Sequence, residues 1–321
     1  MRIVDADTVD RLLRYPGLVD VLADGFQSGA SAPPRHHHQI ARGDLAEQTL
    51  LLMPAWATAA PDGGYACVKL VTVTPDNAAR NGLPAVAGCV LLFSGDTGAP
   101  LALIDGAKLT VWRTAAASAL ASRHLSRPDA KHLLMIGAGA LAPYLIRAHA
   151  SIRPIEHVTI WNRTRARAEE VGAQLTGAPF AVAVTGDLDT AIPEADIISV
   201  ATLSETPLIR GDLLRAGQHV DCVGAFKPTM RETDDAAISK ATVWVDTMAG
   251  GTTEAGDIVM AVQSGALSGS QIVGDLFDLA AGRCRQRSSD EEITLFKSVG
   301  AAIEDLFAAV AVYEADLETR S

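Results

Sequence analysis

The sequence has too few basic residues for a nucleic-acid-binding protein, because 27 Lys and Arg face 38 Asp and Glu and the formal net charge is −11. No stretch approaches the roughly 18 uninterrupted apolar residues of a membrane helix. Residues 1–7 are too acidic, and their apolar run is too short, for a signal peptide. We therefore expect a cytoplasmic protein that contacts neither nucleic acid nor membrane.

Cysteine is also scarce, and its spacing excludes two kinds of site. The four cysteines, Cys67, Cys89, Cys222 and Cys284, lie far apart and never form a C-x-x-C pair. This spacing indicates neither a zinc site nor a disulfide framework, so we expect reduced thiols and no metal. A G-x-S-x-G elbow is absent as well, which sets aside a serine hydrolase of that kind.

A triple histidine, His36-His37-His38, follows Pro33 and Pro34. Adjacent side chains point in different directions and cannot all ligate one metal, and no acidic residue lies at metal-ligand spacing. We interpret this segment as a loop over a substrate pocket, in which His36 or His38 makes a polar contact.

The most informative motif is an apolar run at 131–136 that ends in a G-x-G-x-x-A turn. Gly137 permits the tight turn, Gly139 lets the backbone approach phosphate oxygens, and Ala142 lets the following helix pack closely on a sheet. A dinucleotide pyrophosphate would bind the unpaired N–H groups at that helix N-terminus. The predicted cofactor-binding residues of this turn are Gly137, Ala138, Gly139, Ala140 and Leu141.

The residues after the second apolar strand, at 157–161, predict which dinucleotide binds. A ribose-reading side chain belongs about 20 residues beyond the glycine motif. The sequence there is Asn162-Arg163-Thr164-Arg165, without an acid to hold a free ribose 2′-OH. Guanidinium and hydroxyl groups suit a 2′-phosphate, so NADPH is favoured, with NADH possible but weaker. The alternative is that these arginines, with Arg167, only cover the start of a surface helix.

The order of predicted elements indicates an α/β protein with two domains. The first third is strand-rich without βαβ units, which predicts a separate antiparallel or mixed module. From 131 onward strands and helices alternate, which predicts a Rossmann-type doubly wound parallel sheet. Thr202 and Gly224 follow two of these strands and are added to the predicted cofactor site. The predicted strands of this part are 131–136, 157–161, 180–184, 196–201, 219–224 and 242–246.

A helix is predicted from about 291 to 315, because Ile293, Phe296, Val299, Ile303 and Leu306 recur at helical spacing. We expect this helix to return to the N-terminal module. The expected domains are therefore a mixed α+β domain of residues 1–115 and 297–321, and a Rossmann domain of residues 116–296.

Three cationic residues outside the glycine motif are candidates for holding a substrate. Arg35 follows two prolines, Lys69 interrupts an apolar strand, and Arg113 lies near the start of an apolar helix. A charge in an apolar strand is costly unless it is paired. Together the three would bind a carboxylate. The alternative is an internal ion pair with Asp105 or Asp305.

Taken together, these motifs resemble the ornithine cyclodeaminase/mu-crystallin family over nearly the whole chain. The glycine motif alone would not support this resemblance, but the ordered series does. The segments that carry it are Leu52-Met53-Pro54, Val68-Lys69-Leu70-Val71, Asn81-Gly82-Leu83-Pro84, 97–100, 109–116, 136–139, 161–164, Met230-Arg231-Glu232 and 292–298.

The resemblance implies a homodimer whose substrate-binding and dimerisation domain is built from both chain ends. It implies that Arg35, Lys69 and Arg113 take the substrate carboxylate, and it places Met53 and Phe226 at the substrate. The cyclodeaminases have an aspartate where this sequence has Phe226, and an aromatic ring cannot accept a hydrogen bond from an ammonium or act as a base.

The branch that the sequence most resembles is the ketimine reductases. The implied reaction is NADPH-dependent reduction of Δ1-pyrroline-2-carboxylate or Δ1-piperideine-2-carboxylate to L-proline or L-pipecolate, with Lys69 supplying or relaying a proton. The alternatives are ornithine cyclodeaminase activity, alanine dehydrogenase-like activity, and a non-catalytic binding protein like mu-crystallin.

Overall fold

The structure is a computed structural model that describes residues 1–57 and 63–319, with Ala78 described through its backbone only. The chain divides into unit 1, Met1–Thr114 with Ala301–Ser321, and unit 2, Ala115–Gly300. The boundaries expected from the sequence are 115/116 and 296/297. Each unit has its own sheet, and the α/β class with one mixed and one parallel sheet is confirmed.

Unit 1 is a six-stranded mixed sheet with helices. The strand order is β1-β6-β5-β4-β3-β2, in which β1 is parallel to β6 and all other neighbours are antiparallel. The last helix, α12, comes from the far end of the chain. The elements are β1 (Arg2–Val4), α1 (Ala6–Leu12), α2 (Gly17–Gln27), β2 (His36–Arg42), β3 (Leu45–Ala57), β4 (Tyr65–Val73), α3 (Asn77–Asn81), β5 (Val86–Ser94), β6 (Pro100–Asp105), the start of α4 (Gly106–Leu125) and α12 (Ala302–Glu318).

Helix α12 packs on one face of this sheet, against β3, β4 and β5, and against α2. The sequence of β4 explains the sidedness, because Cys67, Lys69 and Val71 alternate as buried residues. The contact between α2 and α12 is close: a Cβ added at Gly25 would lie 2.3 Å from the ring of Phe307. The helix from the C-terminal segment therefore completes the core of unit 1.

Unit 2 is a seven-stranded, fully parallel sheet in the order β12-β13-β11-β10-β7-β8-β9. The chain order reverses between β7 and β10, and ligands bind at such a switch point in open α/β sheets. The elements are β7 (His132–Ile136), α5 (Ala142–Ile152), β8 (His157–Trp161), α6 (Arg165–Ala173), β9 (Ala181–Thr185), α7 (Leu188–Glu194), β10 (Ile197–Val200), β11 (His219–Cys222), α8 (Asp235–Lys240), β12 (Thr242–Val245), α9 (Met248–Thr253), α10 (Gly256–Ser264), a 3-10 turn (Gly269–Gln271), α11 (Leu276–Ala280) and β13 (Thr294–Lys297).

The predicted helix at 291–315 is wrong in its first third. Residues Thr294–Lys297 form β13, which lies between β11 and β12 with all four side chains buried. Because this strand is covered on both faces, it shows no alternation of apolar and polar residues, and Ile293, Phe296 and Val299 happened to fit a helical spacing. Gly300, at φ +84°, separates β13 from α12.

The loop predicted for the triple histidine is also wrong. His36, His37 and His38 lie in β2, paired with β3, and do not form the predicted loop. The consecutive polar residues of this exposed edge strand show no alternation of apolar and polar side chains, so the sequence did not indicate a strand. A five-residue helix, α3, lies between β4 and β5.

Within the described ranges, no helix is long and apolar enough to cross a membrane. The same residues contain no group of three or more His, Cys, Asp or Glu side chains placed to hold a metal ion. All four cysteines are free thiols.

The assignment of β13 predicts a specific loss of stability. We expect Phe296→Ala to destabilise the protein by about 3–5 kcal/mol, because the ring is fully buried on β13, which lies between β12 and β11 in the parallel sheet. Urea unfolding followed by circular dichroism measures this change. Val262→Ala is the control, since Val262 is 45% exposed on α10 of the same unit. Equal, small effects of both substitutions would contradict a buried position of β13 between β12 and β11.

Candidate functional site

The turn after β7 has the geometry of a phosphate cradle. Gly137 has φ +105°, and a Cβ there would lie 2.5 Å from the carbonyl oxygen of Ala201, so only glycine fits. At Gly139 an added Cβ would meet nothing within 4 Å. The space above Gly139 is therefore open, and a ligand can approach the backbone directly.

Backbone donors face this open space. Within the described part of the chain, no acceptor contacts the N–H groups of Gly139, Ala140 and Leu141. Helix α5 begins at Ala142, and Pro143 in its first turn has no N–H of its own to satisfy. Unpaired N–H groups at the positive end of an 11-residue helix bind an anion such as a pyrophosphate.

A cleft of about 260 Å³ adjoins the cradle. It lies between the loops that follow β7, β8 and β10, which is the switch point of the sheet. Its lining residues are Gly137, Ala138, Gly139, Trp161, Asn162, Arg163, Thr164, Arg167, Ala201, Thr202, Leu203, Ser204 and Leu208. Of the predicted cofactor residues, Ala140, Leu141, Arg165 and Gly224 are outside this lining.

Asn162 joins two sides of the cleft. Its Oδ1 accepts a hydrogen bond of 3.2 Å from the N–H of Ala138, and its Nδ2 donates one of 2.9 Å to the carbonyl oxygen of Thr164. The side chain therefore holds the glycine turn against the loop after β8. That loop is the one in which a ribose is read in this fold.

The arginines after β8 divide into two groups. Arg163 and Arg167 are exposed and line the cleft. Arg165 instead pairs with Glu169 on the surface of α6, at 2.9 Å between Nε and Oε1. Arg167 was not among the predicted site residues; it lies in the first turn of α6, and Arg163 lies in the loop just before this helix.

Thr202 and Gly224 lie side by side after β10 and β11. A Cβ at Gly224 would lie 2.0 Å from the carbonyl oxygen of Thr202, so the two loops touch through their backbones. Thr202 lines the cleft. Both residues donate N–H groups to one buried carboxylate, that of Glu232. Glu232 lies in the family-like segment Met230-Arg231-Glu232 and was not among the predicted site residues.

In unit 1, two of the three predicted cations come together. Lys69 on β4 and Arg113 on α4 share Asp305, whose Oδ1 lies 3.0 Å from Lys69 Nζ and 2.9 Å from Arg113 Nε. Arg113 also pairs with Glu304 at 2.5 Å. All four residues are at most 5% exposed. We call them the charge cluster. The internal ion pair weighed from the sequence is thus present, with Asp305 as the partner.

Asp105, the other acid considered as an ion-pair partner, instead contacts the first turn of α4. Its carboxylate accepts a hydrogen bond of 2.7 Å from the N–H of Lys108 in the first turn of α4. This contact stabilises the start of the helix that carries Arg113.

Met53 lies next to the charge cluster in the register of the sheet, and Arg35 lies one strand further away. Met53 is the cross-strand partner of Lys69. His36, the first residue of β2, pairs with Leu52, so Arg35 precedes β2 at the position that continues toward Met53. Cross-strand neighbours share a face, so Met53 and Lys69 point to the same buried side of the sheet.

The pKa of Lys69 is lowered to about 8, chiefly because burial disfavours the charged form; Asp305 and Glu304 raise the pKa and Arg113 lowers it. An ammonium has three N–H donors, and Asp305 accepts one. Because its pKa is about 8, Lys69 is a cation at neutral pH and can release its proton near pH 8.

Phe226 lies in unit 2, two residues beyond Gly224. Its ring is 40% exposed, and the ammonium of Lys227 lies 5.8 Å from the ring centroid. The loop thus presents an aromatic surface next to a cation, and no carboxylate at this position.

Comparison with known proteins identifies relatives along the whole chain. Residues 3–320 match the model of the ornithine cyclodeaminase/mu-crystallin family. A Delta(1)-pyrroline-2-carboxylate reductase of Colwellia psychrerythraea is 37% identical over 319 residues, which cover 98% of this chain and 99% of that protein.

Two solved structures share the fold over 100% of this chain. The Thermococcus litoralis Delta(1)-pyrroline-2-carboxylate reductase, in complex with NADH and L-proline, has a TM-score of 0.92 and 30% identity, with 98% of its chain covered. An archaeal alanine dehydrogenase dimer with bound NAD has a TM-score of 0.89 and 27% identity, with 97% covered.

Proposed function

Because this chain belongs to the ornithine cyclodeaminase/mu-crystallin family, we propose that it reduces a cyclic ketimine carboxylate with NADPH. The substrate is Δ1-pyrroline-2-carboxylate or Δ1-piperideine-2-carboxylate, and the product is L-proline or L-pipecolate. The chain is an NAD(P)H-dependent oxidoreductase of the imine-reducing type. The observation that supports this substrate is the pairing of two buried cations, Lys69 and Arg113, with the same carboxylate, Asp305. The chain also matches such a reductase over 98% of its length.

In the proposed reaction, Lys69 and Arg113, with Arg35, hold the substrate carboxylate. Reduced nicotinamide, when bound, supplies a hydride to the imine carbon. The electron pair of the C=N bond moves to nitrogen, and an unprotonated imine needs one further proton. Lys69 Nζ holds a proton that it can release near pH 8, and Asp305 keeps this ammonium in a fixed position. A protonated imine needs only positioning.

The cofactor in this proposal is NADPH, with NADH weaker. The two solved relatives were described with NADH and NAD, so the preference rests on residues of this chain. Arg163, Thr164 and Arg167 line the cleft beside the loop after β8, where they supply donors suited to a ribose 2′-phosphate. No acid is among the lining residues of the described chain to repel that phosphate.

Cyclodeamination of ornithine is disfavoured by Phe226. In the proposal its exposed ring forms an apolar wall for a substrate without a free ammonium. A carboxylate at this position, as the cyclodeaminases have, would be needed to accept a hydrogen bond from an amino group.

We also propose that the protein is a cytoplasmic homodimer. The outer face of the sheet in unit 1 is apolar and only half-buried. An apolar sheet face of this kind is covered in an assembly, and the alanine dehydrogenase relative is a dimer. Free thiols suit a reducing compartment. Residues on this face include Leu50, Leu52, Val68, Leu70, Leu91 and Leu103.

The activity is tested with purified protein and a panel of substrates, each with both reduced cofactors. We expect loss of reduced-nicotinamide absorbance with Δ1-pyrroline-2-carboxylate or Δ1-piperideine-2-carboxylate, and none with pyruvate plus ammonium. Ammonia release from ornithine would support a cyclodeaminase instead. Oxidation of NADH with pyruvate and ammonium would support a dehydrogenase, and cofactor binding without any turnover would support a binding protein.

The pKa of Lys69 predicts a pH dependence. We expect kcat/KM for the imine to fall above about pH 8, because Lys69 then loses the proton that both carboxylate binding and proton donation require. In Lys69→Arg the guanidinium stays charged, so this decline should disappear, at lower overall activity. Lys108→Arg, at a surface pair with Asp10, should keep the wild-type profile. An identical decline in Lys69→Arg would rule out Lys69 as its origin.

The cofactor choice is tested by kinetics at Arg163. We expect Arg163→Ala to raise the KM for NADPH about tenfold or more, and to change that for NADH less than about twofold, because only NADPH carries the 2′-phosphate. Arg165→Ala is the matched control, since Arg165 pairs with Glu169 outside the cleft. Equal effects of Arg163→Ala on both cofactors would refute the 2′-phosphate assignment.

A further inference from the structure

Glu232 is a fully buried carboxylate that joins two loops at the carboxyl edge of the parallel sheet. Its Oε1 accepts hydrogen bonds from the N–H and the hydroxyl of Thr202, at 2.7 and 2.8 Å. Its Oε2 accepts from the N–H groups of Gly224 and Ala225, at 2.8 and 3.1 Å. One side chain therefore fixes the chain directly after both β10 and β11.

A buried lysine balances this carboxylate. Lys297, the last residue of β13, is completely buried, and its Nζ lies 3.7 Å from Glu232 Oε2 and 3.3 Å from Asp257 Oδ2. Asp257 in turn accepts hydrogen bonds of 2.8 Å from the N–H groups of Glu232 and Thr233. The position of Glu232 is thus fixed through both its side chain and its backbone.

One of the two loops that Glu232 holds, the loop after β10, forms part of the cleft, and the loop after β11 packs against it. Ala201 and Thr202 line it, and the carbonyl oxygen of Ala201 packs against Gly137 in the phosphate cradle. Gly224 touches Thr202 so closely that a Cβ would not fit between them. A change in the hydrogen bonding of Glu232 therefore displaces the wall of the cleft opposite the loop that reads the ribose.

We propose that Glu232 is a positioning residue for cofactor binding, which shapes the cleft by fixing the loops after β10 and β11. The inference rests on the proposed function only in taking this cleft as the site of a nicotinamide dinucleotide. Glu232 is outside the lining of the cleft, so it acts through Thr202 and its neighbours.

This role requires the carboxylate form. All four groups that contact the Glu232 oxygens are donors, so a protonated carboxyl would direct its own O–H toward one of them. The pKa of Glu232 is raised to about 7: burial is the largest cause, Asp257 also raises the pKa, and Lys297 and the hydrogen bonds from Thr202 lower it. As pH falls through 7, Glu232 takes up a proton and the loops lose acceptors, so cofactor affinity falls with falling pH.

The other titratable groups that face Glu232 do not hide this pH dependence of cofactor affinity. Lys297 on β13 has a raised pKa and stays charged, and burial raises the pKa of the Cys222 thiol on β11, which stays neutral. Asp257 on α10 is the remaining neighbour with a charge. No histidine is among the described residues that line the cleft.

The test measures the Kd of NADH by nicotinamide fluorescence at about pH 6, 7 and 8. NADH is used because it lacks a 2′-phosphate that would itself take up a proton. For the wild-type protein we expect binding about tenfold weaker at pH 6 than at pH 8. For Glu232→Gln we expect binding about tenfold weaker than wild type at pH 8, and the same Kd at all three pH values.

Asp221→Asn is the matched control. Asp221 is an equally buried carboxylate on β11, but it accepts hydrogen bonds from Ser199 and His149 and contacts neither loop. It should keep the pH dependence of the wild type. Glu232→Gln leaves Lys297 paired with Asp257, so folding should be retained, which circular dichroism and thermal unfolding check.

A wild-type Kd that does not change between pH 6 and 8 would overturn the proposal, and this measurement needs no variant. Equal weakening by Glu232→Gln and Asp221→Asn would overturn it too, because a general loss of stability would then explain both. Since no imine is present, a failure of imine reduction would count against the proposed function alone and leave this result standing.

Discussion

The contact of Asp305 with Lys69 and Arg113 is the interaction on which unit 1 depends. Lys69 and Asp305 are 236 positions apart in the sequence, yet their charged atoms lie 3.0 Å apart in the interior. A buried cation without a partner is strongly destabilising, so each cation needs the C-terminal helix in place. The same pairing holds Lys69 and Arg113 in fixed positions, so the contact that closes the unit also arranges its candidate substrate-binding groups.

Unit 2 also holds its candidate ligand-binding groups in fixed positions, but it uses different groups to do so. Its cradle uses backbone N–H groups at the start of α5, which need no buried charge. The loops around the cradle are then held by two side chains, Asn162 on one side and Glu232 on the other. Because the Glu232 carboxylate is buried, it needs a charged partner. That partner is Lys297 at the end of β13, which also pairs with Asp257 at the start of α10. The geometry of the cleft therefore depends on residues that do not line it.

The sequence was informative where the chemistry is local. The glycine turn, the strand before it and the arginines after β8 all lie within one βαβ unit, so spacing alone located them. Lys69 was recognisable because a charge interrupts an apolar strand. The sequence offered two acids, Asp105 and Asp305, as its ion-pair partner. It could not decide between them, because the pairing depends on where α12 packs. Glu232 and Arg167 were missed as functional candidates, since their roles arise only when separate loops meet. The strand at β13 was mistaken for helix because burial on both faces removes the alternation that marks a strand.

The charge cluster also has consequences for the kind of ligand that unit 1 accepts. Lys69 and Arg113 carry two positive charges, and Glu304 and Asp305 carry two negative charges, so the cluster is neutral before a ligand binds. Arg35, the third cation proposed to hold the substrate carboxylate, brings one further positive charge. The charge cluster and Arg35 together therefore balance the single negative charge of a carboxylate, as a buried site requires. If Lys69 gave up its proton without regaining it, Asp305 would be left without this partner, and the balance would be lost. Charge balance therefore favours Lys69 as a cation that holds the carboxylate and regains any proton it gives up.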